Sequence, residues 1–189
     1  MSMEKKLHET TFVEGNTKTL IDLLIKNAIA ELTTYHYYTI FSNLAETDSK
    51  RLKSIVDTAK ETNRNYFKAL VSRVNELGGE IGNMIEFHRI LSQPTVYLLD
   101  HSISIEQKIT FLTEAEKCTM RGYTEISDLT FGNDHETHQL ALTNLAEKIQ
   151  RVAVFSKLVS NQTSKNFQRR ENHSRSLQKS DQLKAAAFL

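Results

Sequence analysis

The sequence predicts an all-α protein, a four-helix bundle with a long crossover between its second and third helices, and three observations carry that prediction. Chain breakers are scarce: 189 residues hold one proline and six glycines, a composition that favours long helices over a many-stranded sheet. Apolar residues recur at spacings of three and four through four separate stretches, which is the periodicity of amphipathic helices. The connections between those stretches run short, long, short, giving two antiparallel hairpins joined by a crossover. The length suits one domain. The expected division is a flexible leader over 1–15, the bundle over 16–160, and a basic, mobile tail over 161–189.

The first helix is expected to start at Gly15-Asn16-Thr17, with Asn or Thr as its cap, and to run to about Ala45. Its inner face carries Leu20, Leu24, Ala28, Glu31, Tyr35 and Tyr38. Glu31 interrupts this otherwise apolar stripe. A lone ionised carboxylate in low dielectric is costly, so Glu31 must be protonated, paired with a cation, or bound to a metal. Glu46-Thr47-Asp48-Ser49 reads as a tight turn that caps a second helix bearing Val56, Ala59, Asn63, Tyr66, Leu70, Val74 and Leu77. That helix ends at Gly78-Gly79, where glycine can adopt the left-handed stop.

The crossover runs from Gly78 to Ser104 and contains a short amphipathic helix, NMIEFHRILSQ, closed by Pro94. Ser104 and Gln107 match a capping box and open a third helix with Ile105, Ile109, Leu112, Glu116, Thr119, Tyr123, Ile126 and Thr130 inward. Gly132 ends it. Asn133-Asp134 caps a fourth helix carrying Leu145, Lys148, Val152, Phe155 and Val159, expected to fade at Asn161-Gln162-Thr163. The two hairpins repeat each other: thirty-two positions separate Glu31 from Asn63 and Glu116 from Lys148. Three positions further on stand Tyr66 and Arg151. Paired hairpins of this kind form the frame in which bundles hold two metal ions between a Glu from each of two helices and a Glu-x-x-His from each of the others.

Composition narrows the remaining options. The single cysteine, Cys118, excludes an intramolecular disulfide framework, and its place on the third helix reads as that of a buried, inert thiol. MSMEKKLHETTF has no apolar core of signal-peptide length, and no apolar run approaches the roughly 18 residues that span a bilayer, so a cytoplasmic protein with no membrane partner is expected. Net charge is +1, yet from Lys165 onward six cations stand against Glu171 and Asp181, for +4. Lys165, Arg169, Arg170, Arg175 and Lys179 are therefore candidates for nucleic-acid binding, with a solvated tail as the plainer alternative. The closing LKAAAFL turns apolar and is a candidate docking peptide for protein. His135 and His138 are a weak surface metal candidate, read more simply as a solvated helix start. Tyr35, His36, Tyr37 and Tyr38 read as packing. No Gly-rich phosphate loop, nucleophile elbow or Cys-x-x-Cys pair occurs.

Residues from about Leu20 to Val159 resemble the ferritin superfamily, on its Dps-like branch (DNA-protection-during-starvation-like proteins). The segments that carry the resemblance are AELTTYHYYTI, RVNELGG, the stretch from Glu114 to Cys118, and SDLTFGND. It implies a ferritin-like bundle, a homo-oligomeric shell of twelve subunits, oxidation of ferrous iron, iron storage with protection from oxidative stress, and in some members DNA binding through basic tails. Glu31 and Glu116 match the family's ligands on the first and third helices. Where the family has an acid and a His on the second helix, this chain has Asn63 and Tyr66, and on the fourth it has Lys148 and Arg151. Relatives also carry a second cysteine in the crossover to pair with the one matching Cys118, and none is present here.

Ammonium and guanidinium groups have no lone pair for a metal. At about 4 Å and an effective dielectric near 20, each acts on a neighbouring unit charge with roughly 4 kcal/mol. Lys148 and Arg151 are therefore expected to replace the irons electrostatically, pairing with Glu31 and Glu116, while Asn63 and the Tyr66 hydroxyl satisfy remaining lone pairs. The expected function is a Dps-like shell whose iron-oxidising centre has been lost, with no cofactor and a structural or macromolecule-binding role. The alternatives are an active mini-ferritin oxidising and storing iron through other ligands, and a cage that nucleates mineral without oxidation.

Overall fold

Four long helices are what the periodicity dictates, and four are found among the described residues. The computed structural model describes the backbone of residues 3–44, 50–82 and 96–186, and the side chains of 16–43, 50–82 and 96–160. Helix α1 spans Met3–Leu44, α2 Lys50–Glu76, α3 Ile105–Thr130 and α4 His135–Ala186. A single helical turn at 96–99 precedes α3. No strand occurs among the described residues. α1 packs on α2 and α3 on α4, and the two hairpins meet chiefly through α1 and α3.

The stop and start signals act at the expected places on the described termini. Gly78 takes φ 80°, and the N–H groups of Gly78 and Gly79 donate to Asn75 O at 3.0 Å and Val74 O at 2.9 Å. These two bonds satisfy the last carbonyls of α2 in a Schellman stop. Ser104 and Gln107 form a reciprocal capping box on α3. Asp134 caps α4 by accepting from Thr137 N at 3.0 Å. Arg73 then ties the end of α2 to this cap. Its Nη2 donates to both oxygens of Asp134 at 3.0 and 2.9 Å, and its Nε donates to Thr137 at 2.7 Å.

Two helices run past their expected ends. The backbone is helical from Met3, so Gly15-Asn16-Thr17 lies inside α1, and α4 continues through Asn161-Gln162-Thr163 to Ala186. A glycine in a helix costs about 1 kcal/mol and polar residues less, which weakens a helix without breaking it. The expected 46–49 turn, the NMIEFHRILSQ helix and Pro94 lie outside the described residues, as do the side chains of the leader and tail. No described helix is long and apolar enough to cross a membrane.

The core divides into two apolar clusters. One gathers Tyr37, Tyr38, Phe41, Leu52, Val56, Ile109, Leu112 and Phe155, with Leu98 of the short turn fully buried against them. The other joins Leu20, Leu24, Ala28, Leu70, Val74, Tyr123, Ile126 and Ala141. Glu31, Asn63, Glu116 and Lys148 lie between them along the helices, each with no measurable exposure. Tyr35, expected on the inner face of α1, is only half-buried, and Thr34 takes the buried position.

Candidate functional site

One residue from each helix builds the polar layer, because the inward position of every helix at this level is filled by a hydrogen-bonding group. Lys148 on α4 reaches Glu116 on α3 and Glu31 on α1. Its Nζ donates to Glu116 Oε2 at 2.6 Å and to Glu31 Oε2 at 3.0 Å, and Glu31 Oε1 also lies 3.0 Å away. Arg151, one turn on, donates from Nη1 to Glu116 Oε1 at 2.7 Å and to the Asn63 carbonyl. Asn63 Nδ2 makes a long contact of 3.5 Å to the same Glu116 oxygen. Tyr38 Oη donates to it at 2.6 Å. The structure thus brings Glu31, Asn63, Tyr66, Glu116, Lys148 and Arg151 together at the waist of the bundle.

Tyr66 contributes its ring instead of its hydroxyl. Lys148 Nζ lies 5.3 Å from the ring centroid and the Arg151 guanidinium 5.9 Å, within range of cation–π attraction. The Tyr66 hydroxyl, expected to serve the central carboxylates, donates to Glu147. Glu147 immediately precedes the inward Lys148 and is exposed, so it sits at the bundle's edge where the tyrosine tip emerges.

The two carboxylates differ in environment. Burial would raise both, but around Glu116 the charges of Lys148 and Arg151, with hydrogen bonds from Lys148 and Tyr38, outweigh it and hold the carboxyl below its ordinary range. Around Glu31 burial wins: Lys148 offsets only part of it, Glu116 adds like-charge repulsion, and the carboxyl is pushed up to about 7. Burial works against the Arg151 charge, but the charge and hydrogen bond of Glu116 together with Tyr38 and Tyr66 outweigh it, and Arg151 is held cationic. Burial raises the hydroxyls of Tyr38 and Tyr123 well above the ordinary range, so both stay protonated donors. Asn144 donates to the Tyr123 hydroxyl at 3.1 Å.

Three participants escape sequence reasoning. Tyr38, Tyr123 and Glu147 have the spacing of core or surface residues. The available signal was position: Tyr38 stands seven residues after Glu31 and Tyr123 seven after Glu116, each two turns along the same helix face. Elsewhere the expectation for Cys118 fails. Its side chain is exposed, because two residues beyond inward-facing Glu116 is more than half a turn round α3.

The histidine pair does not assemble. His138 Nδ1 contacts Ser127 O at 3.0 Å and its ring packs on Phe131, while His135 is exposed. Among the described residues no group of three or more His, Cys, Asp or Glu side chains is placed to hold a metal ion. The side chains of Lys165, Arg169, Arg170, Arg175 and Lys179 lie beyond those described.

The family model described as "Ferritin-like domain" matches residues 21–163, which include the whole polar layer. The chain belongs to the ferritin-like family. Within it, the chain is 41% identical over 167 residues to the DNA protection during starvation (Dps) protein of Pyrococcus furiosus, covering 87% of this chain and 89% of that one. Solved ferritin-like structures share the fold at lower identity. A dodecameric thioferritin from Bacteroides fragilis aligns with TM-score 0.64 and 19% identity, covering 84% of this chain and 97% of its own. The bacterioferritin of Desulfovibrio desulfuricans gives 0.66 and 17%, covering 80% and 84%. A variant of a Mycobacterium smegmatis Dps protein gives 0.62 and 12%, covering 77% and 97%. This ferritin-like chain is therefore Dps-like in sequence and in bundle topology.

Proposed function

We propose that the chain forms a homo-oligomeric Dps-like shell in which the buried Glu31–Glu116–Lys148–Arg151 cluster replaces the di-iron centre of iron-oxidising relatives, leaving a structural or macromolecule-binding role. One observation carries this reading: Lys148 Nζ stands between the two carboxylates, 3.0 Å from Glu31 and 2.6 Å from Glu116. The residues present do not fit iron. Lys148 and Arg151 offer no lone pair and repel a cation, and Asn63 and Tyr66 supply neither carboxylate nor imidazole. Support for the shell comes from the Dps protein of P. furiosus and the dodecameric thioferritin of B. fragilis, to which the chain is similar. Support for DNA as the macromolecule comes from the +4 tail, arrayed in many copies.

The test is ferrous oxidation followed by absorbance with oxygen or hydrogen peroxide, alongside the mass of the assembly by light scattering. Slow, unsaturable oxidation, unchanged in Glu31→Gln, is expected from a multi-subunit particle. Saturable turnover abolished by Glu31→Gln overturns the loss of the centre and favours an active mini-ferritin, and a monomeric mass overturns the shell. For the tail, a DNA shift on a gel at low salt, lost on truncation after Val159, is expected. Its absence ends the DNA reading.

A further inference from the structure

Cys118 borders two depressions between α1 and α3. On one side is a groove of about 360 Å³ with almost wholly apolar walls, among them Ile29, Tyr37 and Phe111. On the other is a smaller cleft of about 190 Å³ lined by Lys26, Asn27, Arg121, Gly122 and Glu125. The cleft is built around a buried amide. Asn27 is 3% exposed, and its Nδ2 has no acceptor among the described residues. A Cβ on Gly122 would come within 2.3 Å of Asn27 Oδ1, so only glycine admits the amide at this depth. A buried amide donor without an acceptor destabilises the fold, and a ligand oxygen would relieve it. Lys26 and Arg121 are exposed and have no ion-pair partner among the described residues, against a single acid, Glu125. The cleft therefore has an unmet need for an acceptor and an excess of positive charge, and a thiol at its rim.

We propose that Cys118 is a site of reversible S-thiolation by a small acidic disulfide, whose carboxylates are received by Lys26, Arg121 and the Asn27 amide. Cys118 Sγ attacks one sulfur of the disulfide. A bond forms between Sγ and that sulfur, the original S–S bond breaks, and the other half departs as a thiolate that takes up the proton Cys118 gave up. Cys118 is oxidised to a mixed disulfide and the reagent is reduced by one thiol equivalent. The chain has no second cysteine to resolve the adduct, so the modification persists until an external thiol reverses it by the same exchange.

The experiment uses the full chain and three probes: glutathione disulfide (acidic), cystamine (basic) and hydroxyethyl disulfide (neutral). Mixed disulfide is followed by intact mass, and each rate is divided by that of free cysteine with the same probe. The expected result is a preference for glutathione disulfide over both others of about tenfold at low salt, within the range that local charge imposes on encounter rates. In Lys26→Gln/Arg121→Gln, whose exposed side chains leave the fold intact, the preference falls to within about twofold. Equal normalised rates for the three probes overturn the proposal. So does faster reaction of the neutral or basic probe, or Cys118–Cys118 linkage between two chains as the sole product.

Discussion

Glu31 and Glu116 share the ammonium of Lys148, but only Glu116 also holds the guanidinium of Arg151, at 2.7 Å. That asymmetry separates their protonation and gives the bundle a stability that depends on pH.

Glu31 is raised from 4.5 to about 7 in the folded chain. A carboxyl raised on folding binds its proton more tightly in the native state, so its contribution is fullest below 4.5 and is lost as pH climbs to about 7. The loss is on the order of 3 kcal/mol for this fully buried group. Glu116, lowered on folding, acts the other way and only below its ordinary range. Urea denaturation between pH 5 and pH 8 should show Glu31→Gln gaining on the native chain by this amount, and a constant difference would refute the raised value.

Truncation of Lys148 strands two carboxylates in a dry layer. Lys148→Met should cost roughly 3 to 5 kcal/mol near neutral pH, as removal of one partner from a buried pair does. Adding Glu31→Gln to it should recover part of that loss, which a double-mutant cycle by chemical denaturation reads directly.

Putting back the ligand types of iron-oxidising relatives is the converse test. Asn63→Glu, Tyr66→His, Lys148→Glu and Arg151→His together place acids and imidazoles at the four positions that lack them, around Glu31 and Glu116. The quadruple variant should bind ferrous iron and oxidise it with saturable kinetics, in contrast with the native chain. Metal analysis and absorbance would check both.

Arg73 joins the end of α2 to the cap of α4 through Asp134 and Thr137. Arg73→Met should lower stability by roughly 2 kcal/mol, the scale of charge-assisted hydrogen bonds left unmade. Arg73→Lys should not restore it, because one ammonium cannot span the cap as a guanidinium fork does. Thermal melts of the two variants against the native chain decide the point.

Gly122→Ala sets a methyl 2.3 Å from Asn27 Oδ1. It should destabilise the chain by about 1 to 3 kcal/mol through overpacking, and Asn27→Ala should relieve most of that penalty. Additive costs in the pair would mean that the two residues do not meet.

Much of this was legible in residue order. Glu31 in an apolar stripe announced a buried charge, the thirty-two-residue spacing brought its counter-ions to the same level, and Ser104, Gln107, Gly78 and Asp134 stop or start helices as local hydrogen bonding requires. Polar partners hidden among core aromatics were not. Tyr38 has the spacing of a packing residue, and only its distance to Glu116 reveals a donor. α1 and α4 run past their expected ends because glycine, asparagine and threonine lower helix propensity without forbidding the helix. Cys118 is exposed against the usual burial of a free cysteine, because its place on α3, two residues past Glu116, outweighs its residue type.

The ammonium and guanidinium at the waist are covalently part of the chain, so the neutralising charges arrive with synthesis and cannot be stripped by a chelator. If the proposed replacement holds, folding of this layer is uncoupled from the supply of any ion, and the bundle keeps the same interior whether iron is scarce or plentiful.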